Sequence, residues 1–171
     1  YNNLKKTARR FVTPFLFETN VGAALPIIDT LNNLIASGDK ILEIQAILSG
    51  SLNYIFNNYK LNTTFKNIVQ KAQKEGYTEP DPKIDLSGID VARKILILGR
   101  ESGFKLELDD ITNNSFLPEE VLKSDNNDEL YESIDRNENH FRSILESAIK
   151  NNKRLKYVAE LKNGKASVGL R

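Results

Sequence analysis

Residues 76–94 read Gly-Tyr-Thr-Glu-Pro-Asp-Pro-Lys-Ile-Asp-Leu-Ser-Gly-Ile-Asp-Val-Ala-Arg-Lys, which sets Glu79, Asp81, Asp85 and Asp90 close in sequence to Lys94. Carboxylates gathered this way can receive an ammonium group or a cation, and a neighbouring amine can polarise a carbonyl or pass a proton. Pro80 and Pro82 disfavour helix at the residues before them, so Glu79 and Asp81 belong to a stiff extended strip. Ser87-Gly-Ile-Asp matches a capping box, which predicts a helix opening at Ser87 with Asp90 as its third residue. Lys94 follows Asp90 by four and shares its face, with the acid on the N-terminal side as such pairs prefer. Each acid taken alone reads first as a cap, a solvated loop charge or half of a surface ion pair. One detail argues for more. Ile97 falls within the charged arc of Asp90, Arg93, Lys94, Arg100 and Glu101, so that helix face is not simply wet.

The remaining elements must position this strip. Lys5, Lys6, Arg9 and Arg10 with Leu4 and Ala8 predict a short basic helix whose charges are solvated. Residues 11–17 alternate aromatic and β-branched side chains around Pro14 and predict an edge strand. A turn over 18–25 containing Gly22 then leads to Pro26 and a helix carrying Ile28, Leu31 and Ile35. A tight turn beside a carboxylate can aim main-chain carbonyls at a hard cation, although a plain strand-to-helix turn explains the same residues. Alternation over 41–48 predicts a second strand, and Gly50 and Ser51 open a helix with Leu52, Ile55 and Phe56 inward. Thr63 or Thr64 starts the next helix, which carries Phe65, Ile68, Val69 and Ala72 and stops at Gly76. Residues 109–139 shift to Asp, Asn and Glu and predict a surface excursion with helical pieces at 118–123 and 128–135. Phe141, Ile144, Leu145 and Ala148 mark a further helix, with His140 beside it as a structural histidine. The chain closes with a predicted hairpin, 155–161 and 166–170 about Asn163-Gly164.

Composition removes several classes. With 171 residues, 40% hydrophobic and 27% charged, the chain suits one domain with a real core. A net charge of +1 gives no bulk attraction to nucleic acid or to an acidic membrane, and no run of eighteen apolar residues or signal peptide occurs, so the expected location is cytoplasmic. The absence of cysteine excludes thiolate catalysis and disulfides, and a single histidine argues against a zinc or iron site. The nine glycines include no Gly-x-Gly pair and no phosphate-cradling loop, so the sequence has no recognisable dinucleotide site. With no methionine, it is expected to be a fragment of something longer.

Ala72, Gly76, Tyr77, Thr78, Asp81, Pro82, Asp85, Leu86, Gly88, Asp90 and Lys94 fall in the order and spacing of the homoserine dehydrogenase signature. Residues 18–29, Glu-Thr-Asn-Val-Gly-Ala-Ala-Leu-Pro-Ile-Ile-Asp, and 47–56, Ile-Leu-Ser-Gly-Ser-Leu-Asn-Tyr-Ile-Phe, agree with it. The chain therefore resembles the substrate and dimerisation portion of that family, more weakly after residue 112. The resemblance implies NADPH- or NADH-dependent reduction of L-aspartate 4-semialdehyde to L-homoserine, in threonine and methionine biosynthesis. Such a protein binds the amino acid, sets its carbonyl carbon against the nicotinamide and delivers a proton to the oxygen. Lys94 would polarise the carbonyl and give that proton, with Asp90 orienting the lysine and bonding the substrate. Glu79 would receive the substrate ammonium, and Asp85 would shape the field behind it. Gly50 and Ser51 would border the substrate, Ser51 keeping the hydroxyl of the family's usual threonine. A monovalent cation such as sodium would be held by Glu18 and the carbonyls of Val21, Ala23 and Leu25, in a turn with Ala24 where the family usually has glycine.

The expected architecture is an α+β domain over 1–171, a mixed β-sheet with helices packed on one face and no Rossmann domain in this chain. The family's nucleotide domain lies upstream and supplies a further lysine, so the isolated chain is expected to be inactive. Two strands and a hairpin leave an incomplete sheet, which implies a homodimer. The competing class is a non-catalytic binding or dimerisation module whose acidic cleft takes a cation or an ammonium.

Overall fold

The computed structural model describes residues 2–171. Its elements are α1 (Asn2–Arg10), α2 (Ile27–Ala36), β1 (Glu43–Ala46), α3 (Gly50–Asn58), α4 (Phe65–Lys74), α5 (Pro82–Leu86), α6 (Ile89–Glu101), β2 (Ile111–Asn114), α7 (Glu119–Leu122), α8 (Asn127–Arg136), α9 (Glu138–Lys150), β3 (Tyr157–Lys162) and β4 (Lys165–Leu170). The four strands form one mixed sheet in the order β1-β3-β4-β2, with β3 antiparallel to β1 and β4, and β2 parallel to β4. Helix α6 packs across β2, β3 and β4, giving the expected α+β arrangement. No described helix is long and apolar enough to cross a membrane.

The hairpin is where sequence and structure agree most closely. Asn163 and Gly164 take φ of +50° and +75°, the paired positive values that a two-residue turn between twisted strands needs. Alternation then turns Tyr157, Ala159, Leu161, Ala166 and Val168 into the core.

Residues 11–17 do not form the expected strand. Phe11 and Thr13 bond back to carbonyls of α1, Val12 takes a positive φ, and the side chains of Val12 and Leu16 are almost fully exposed. Alternation without a neighbour to pair with does not make a strand. The fourth strand is β2 instead, an edge segment of which only Ile111 is buried, so no apolar alternation announces it.

The acidic stretch after 109 is not merely a surface excursion. Phe116, Leu117, Val121, Leu130 and Ile134 are all buried. Phe116 meets Phe56, Phe65 and Tyr157 edge-on, and Phe65 stacks on Phe141 with centroids 4.2 Å apart. The two acid-rich helices thus close one end of the core. In α1, Lys5 is likewise not left to solvent, because its ammonium pairs with the buried carboxylate of Glu101 at 2.5 Å.

Gly88 joins α5 to α6 with φ +72° and caps α6, so the capping box expected at Ser87 does not form. Ser87 Oγ donates instead to the carbonyl of Ile84 at the end of α5. Packing explains the change. The hydroxyl of Tyr157 lies 1.9 Å from where a Cβ on residue 88 would sit. That hydroxyl donates to Asn113 Oδ1, and Asn113 Nδ2 donates to the carbonyl of Ser87. Burial pushes the Tyr157 phenol up to about 12.

Gly88→Ala adds left-handed strain of about 1–2 kcal/mol to that overlap, and we expect Tm to fall by roughly 5–10 °C. Gly103→Ala, also at positive φ but with nothing within 4 Å of a Cβ, should show the strain alone, a fall of roughly 2–5 °C. Calorimetry of the two variants measures the difference, and equal losses would mean that Tyr157 moves aside at no cost.

Candidate active site

The loop between β1 and α3 joins the parts of the site. Ser49 caps α3, its Oγ accepting from the N–H of Leu52 at 3.1 Å. Ser51 Oγ donates to Asp85 Oδ1 at 2.7 Å and lies 2.9 Å from Ser49 Oγ. A hydroxyl has one proton, so Ser49 is the donor in that pair. The other oxygen of Asp85 accepts the N–H of Glu79 at 2.8 Å. One chain of bonds therefore runs from α3 through α5 to the acidic strip, and both serines in it are buried.

Lys94 enters from α6. Its Nζ donates to the carbonyl of Leu48 at 2.9 Å and pairs with Asp90 Oδ2 at 2.6 Å, the spacing-four pair expected on that face. The ammonium has three donors, and these contacts use two. The lysine is a quarter exposed while Asp90 is about half exposed, so the pair contributes little to stability. Lys94 also lines a cleft of about 340 Å³ with Thr19, Gly22, Ala23, Leu25, Ile47, Leu48 and Gly50. Three segments far apart in sequence meet there.

Glu18 stands at the other side of this turn. Its Oε1 and Oε2 accept the N–H groups of Ile28 and Asp29, each at 2.7 Å, which places a carboxylate on the positive end of α2. Gly22 and Ala23 take positive φ in succession, +82° and +53°. Backbone bonds end on the carbonyls of Glu18, Gly22 and Leu25; among the described residues none ends on those of Val21 or Ala23.

The four acids of the strip separate by partner. Asp81 caps α5 through the N–H of Lys83, Asp85 is held by Ser51 and Glu79 N–H, and Asp90 pairs with Lys94. Glu79 is exposed, and its carboxylate has no hydrogen bond or ion pair among the described residues. Sequence reasoning had not found Ser49 or the Leu48 carbonyl; the signal available for Ser49 was its place three residues before Leu52, an N-cap spacing. His140 lies outside this group, its ring nitrogen 2.8 Å from the carbonyl of Phe116. Among the described residues no cluster of three acidic or histidine side chains could hold a metal ion.

Residues 26–171 match the family described as Homoserine dehydrogenase. The chain is 50% identical over 134 residues to the bifunctional aspartokinase/homoserine dehydrogenase 1, chloroplastic, of Zea mays, a match covering 78% of this chain and 15% of the maize protein. A crystal structure of a Candida auris protein of unknown function superposes with a TM-score of 0.83 at 38% identity, covering 90% of this chain and 45% of that one. A hyperthermophilic archaeal homoserine dehydrogenase in complex with NADPH shares the fold, with a TM-score of 0.69 at 24% identity over 100% of this chain and 44% of that one. The chain spans less than half the length of each of these proteins.

Removing one hydroxyl should loosen the whole bonded series. Ser51→Ala deprives Asp85 of a donor in a buried setting and should cost about 1–3 kcal/mol, seen as a lower urea midpoint at an unchanged m value. Ser51→Thr keeps the hydroxyl and should lose clearly less; an equal loss would assign the effect to packing.

Proposed function

This chain belongs to the homoserine dehydrogenase family of oxidoreductases, and we propose that it supplies the substrate half of the active site for reduction of L-aspartate 4-semialdehyde to L-homoserine. The observation that carries this reading is the one cleft in which the 18–25 turn, the 47–50 segment and Lys94 meet. In this reading Glu79, the one acid of the strip without a partner, takes the substrate ammonium. Lys94, aimed by Leu48 and Asp90, turns its third donor on the carbonyl oxygen and passes its proton there as negative charge develops. Asp90 sits against the amine and bonds the substrate beside it. Asp85 acts one step back, fixing the strip through the Glu79 N–H, while Gly50 borders the cleft and Ser51, buried behind it, holds Asp85. The nicotinamide of NADPH or NADH, when bound, supplies the hydride, and no residue of this chain is assigned to it. An isolated chain of these residues is accordingly expected to be inactive, and a cytoplasmic location belongs to the same reading.

The turn over 18–25 is read as a monovalent cation site. Its donors are all oxygen, which suits a hard ion such as sodium. The carbonyls of Val21 and Ala23, which accept no backbone bond, would take the ion directly. Leu25 and Glu18 would join them through lone pairs that Ile27, Ile28 and Asp29 leave over. A homodimer completes the reading. Strand β1 is an open edge, and beside it Leu25, Leu34, Ile44 and Leu98 line an apolar cleft of about 360 Å³ that a second copy would cover.

In an enzyme carrying this chain, we expect Lys94→Ala to lower kcat by about 10²–10⁴-fold, and a variant within a few-fold of wild type would remove the proton-donor role. Glu79→Leu should raise KM for the amino-acid substrate by at least tenfold, about 1.4 kcal/mol, and leave KM for the nucleotide unchanged. Steady-state kinetics with each substrate varied in turn measures both.

A further inference from the structure

The strip that carries Glu79 is gripped at one atom. The carbonyl of Pro80 accepts Gln73 Nε2 from α4 and Asn127 Nδ2 from α8, both at 2.9 Å. The Gln73 amide is itself set by Tyr131 of α8, whose hydroxyl donates to Oε1 at 2.7 Å. Three residues further on, Lys83 Nζ donates to the carbonyl of Ser124, in the turn just before α8. Proline has no N–H, so at residues 80 and 82 the backbone can be held only through its carbonyls. A strip built this way cannot be fixed by pairing as a strand, and its position passes to side chains from neighbouring helices.

We propose that Asn127, Gln73 and Tyr131 are positioning residues for substrate recognition, acting through the Pro80 carbonyl to fix where the Glu79 carboxylate meets the substrate's ammonium group. The inference rests on the reading of Glu79 given above and extends it to α8. It gives the acid-rich excursion a task beyond closing the core, since Asn126 starts α8 as its N-cap and so places Asn127 at the first helical position beside the strip. Burial, with a smaller part from the Asp81 charge, raises the Tyr131 phenol above its ordinary value. The Pro80 carbonyl only accepts, so Gln73 turns its amide nitrogen there and its Oε1 takes the proton of the Tyr131 hydroxyl.

The test uses an enzyme carrying this chain and the double variant Gln73→Leu/Asn127→Ala, alone and combined with Glu79→Leu. Alone, it should raise KM for the amino-acid substrate about tenfold, with kcat and the nucleotide KM within twofold of the parent. Hydrogen exchange of the amides at 77–81 should quicken, and Asn127→Gln, which keeps a donor, should recover part of the KM. In the Glu79→Leu background the double substitution should add almost nothing, because coupled residues acting through one group are not additive. An unchanged KM, a KM effect that persists in full without Glu79, or kcat and both KM values worsening together would each overturn the proposal. If Glu79→Leu alone leaves KM unchanged, the ammonium contact fails first and the positioning role falls with it; a KM raised by Glu79→Leu but not by the double variant sinks the positioning role alone.

Discussion

The site depends on one part-buried hydrogen bond, from Ser51 to Asp85. Ser51 lies in the first turn of α3 and Asp85 near the end of α5, 34 positions away along the chain. That contact ties the acidic strip to the first turn of α3, directly after the loop that carries Leu48. The bond is strong for its type because the acceptor is charged and both serines are sheltered. Its geometry is fixed on each side by a backbone contact, Leu52 N–H to Ser49 and Glu79 N–H to Asp85. The start of α3 and the strip leading into α5 are thus locked in register.

Lys94 reaches the same loop from the other direction. Its bond to Leu48 precedes Ser49 by one residue, so the loop receives α6 on one side and α5 on the other. The αL linker at Gly88 sets the angle between those two helices, and Tyr157 of the central sheet fills the space that this glycine leaves. The centre of the sheet therefore determines how the acids and the amine face each other. A substitution deep in β3 would be felt at the site without touching it.

Local chemistry decided what could be read in advance. The hairpin, the Thr64 cap, the Gly76 stop and the Asp90–Lys94 pair were legible because each is a contact between residues a few positions apart. Residues 11–17 misled because alternation states a preference, and only a partner strand makes it structure. β2 was hidden for the converse reason, since Thr112, Asn113 and Asn114 owe their extended form to β4 alone. At Ser87 a good capping box lost to a tyrosine that arrives from 70 residues away; no local scale contains that term. The resemblance pointed to segments 18–29, 47–56 and 72–94, but not to the bonds between them, because Ser51 to Asp85 and Lys94 to Leu48 are contacts between residues far apart in the chain.

On the proposed reading of Glu79 as the ammonium receptor, the division of labour among the acids would follow from what a receptor carboxylate requires. A group that must accept an incoming ammonium has to keep its lone pairs until the ligand arrives, yet an unanchored side chain loses rotamer freedom when it binds. Anchoring the carboxylate itself would consume the acceptors it needs. The structure separates the two demands: Asp81, Asp85 and Asp90 spend theirs on a helix cap, a serine and a lysine, and thereby fix the backbone on which Glu79 stands. The N–H of Glu79 is tied to Asp85 and the next carbonyl to Gln73 and Asn127, which leaves only its own side-chain torsions to be ordered on binding. On that reading, selectivity for a cationic group would come from the rigidity of a main chain rather than from the number of charges beside it.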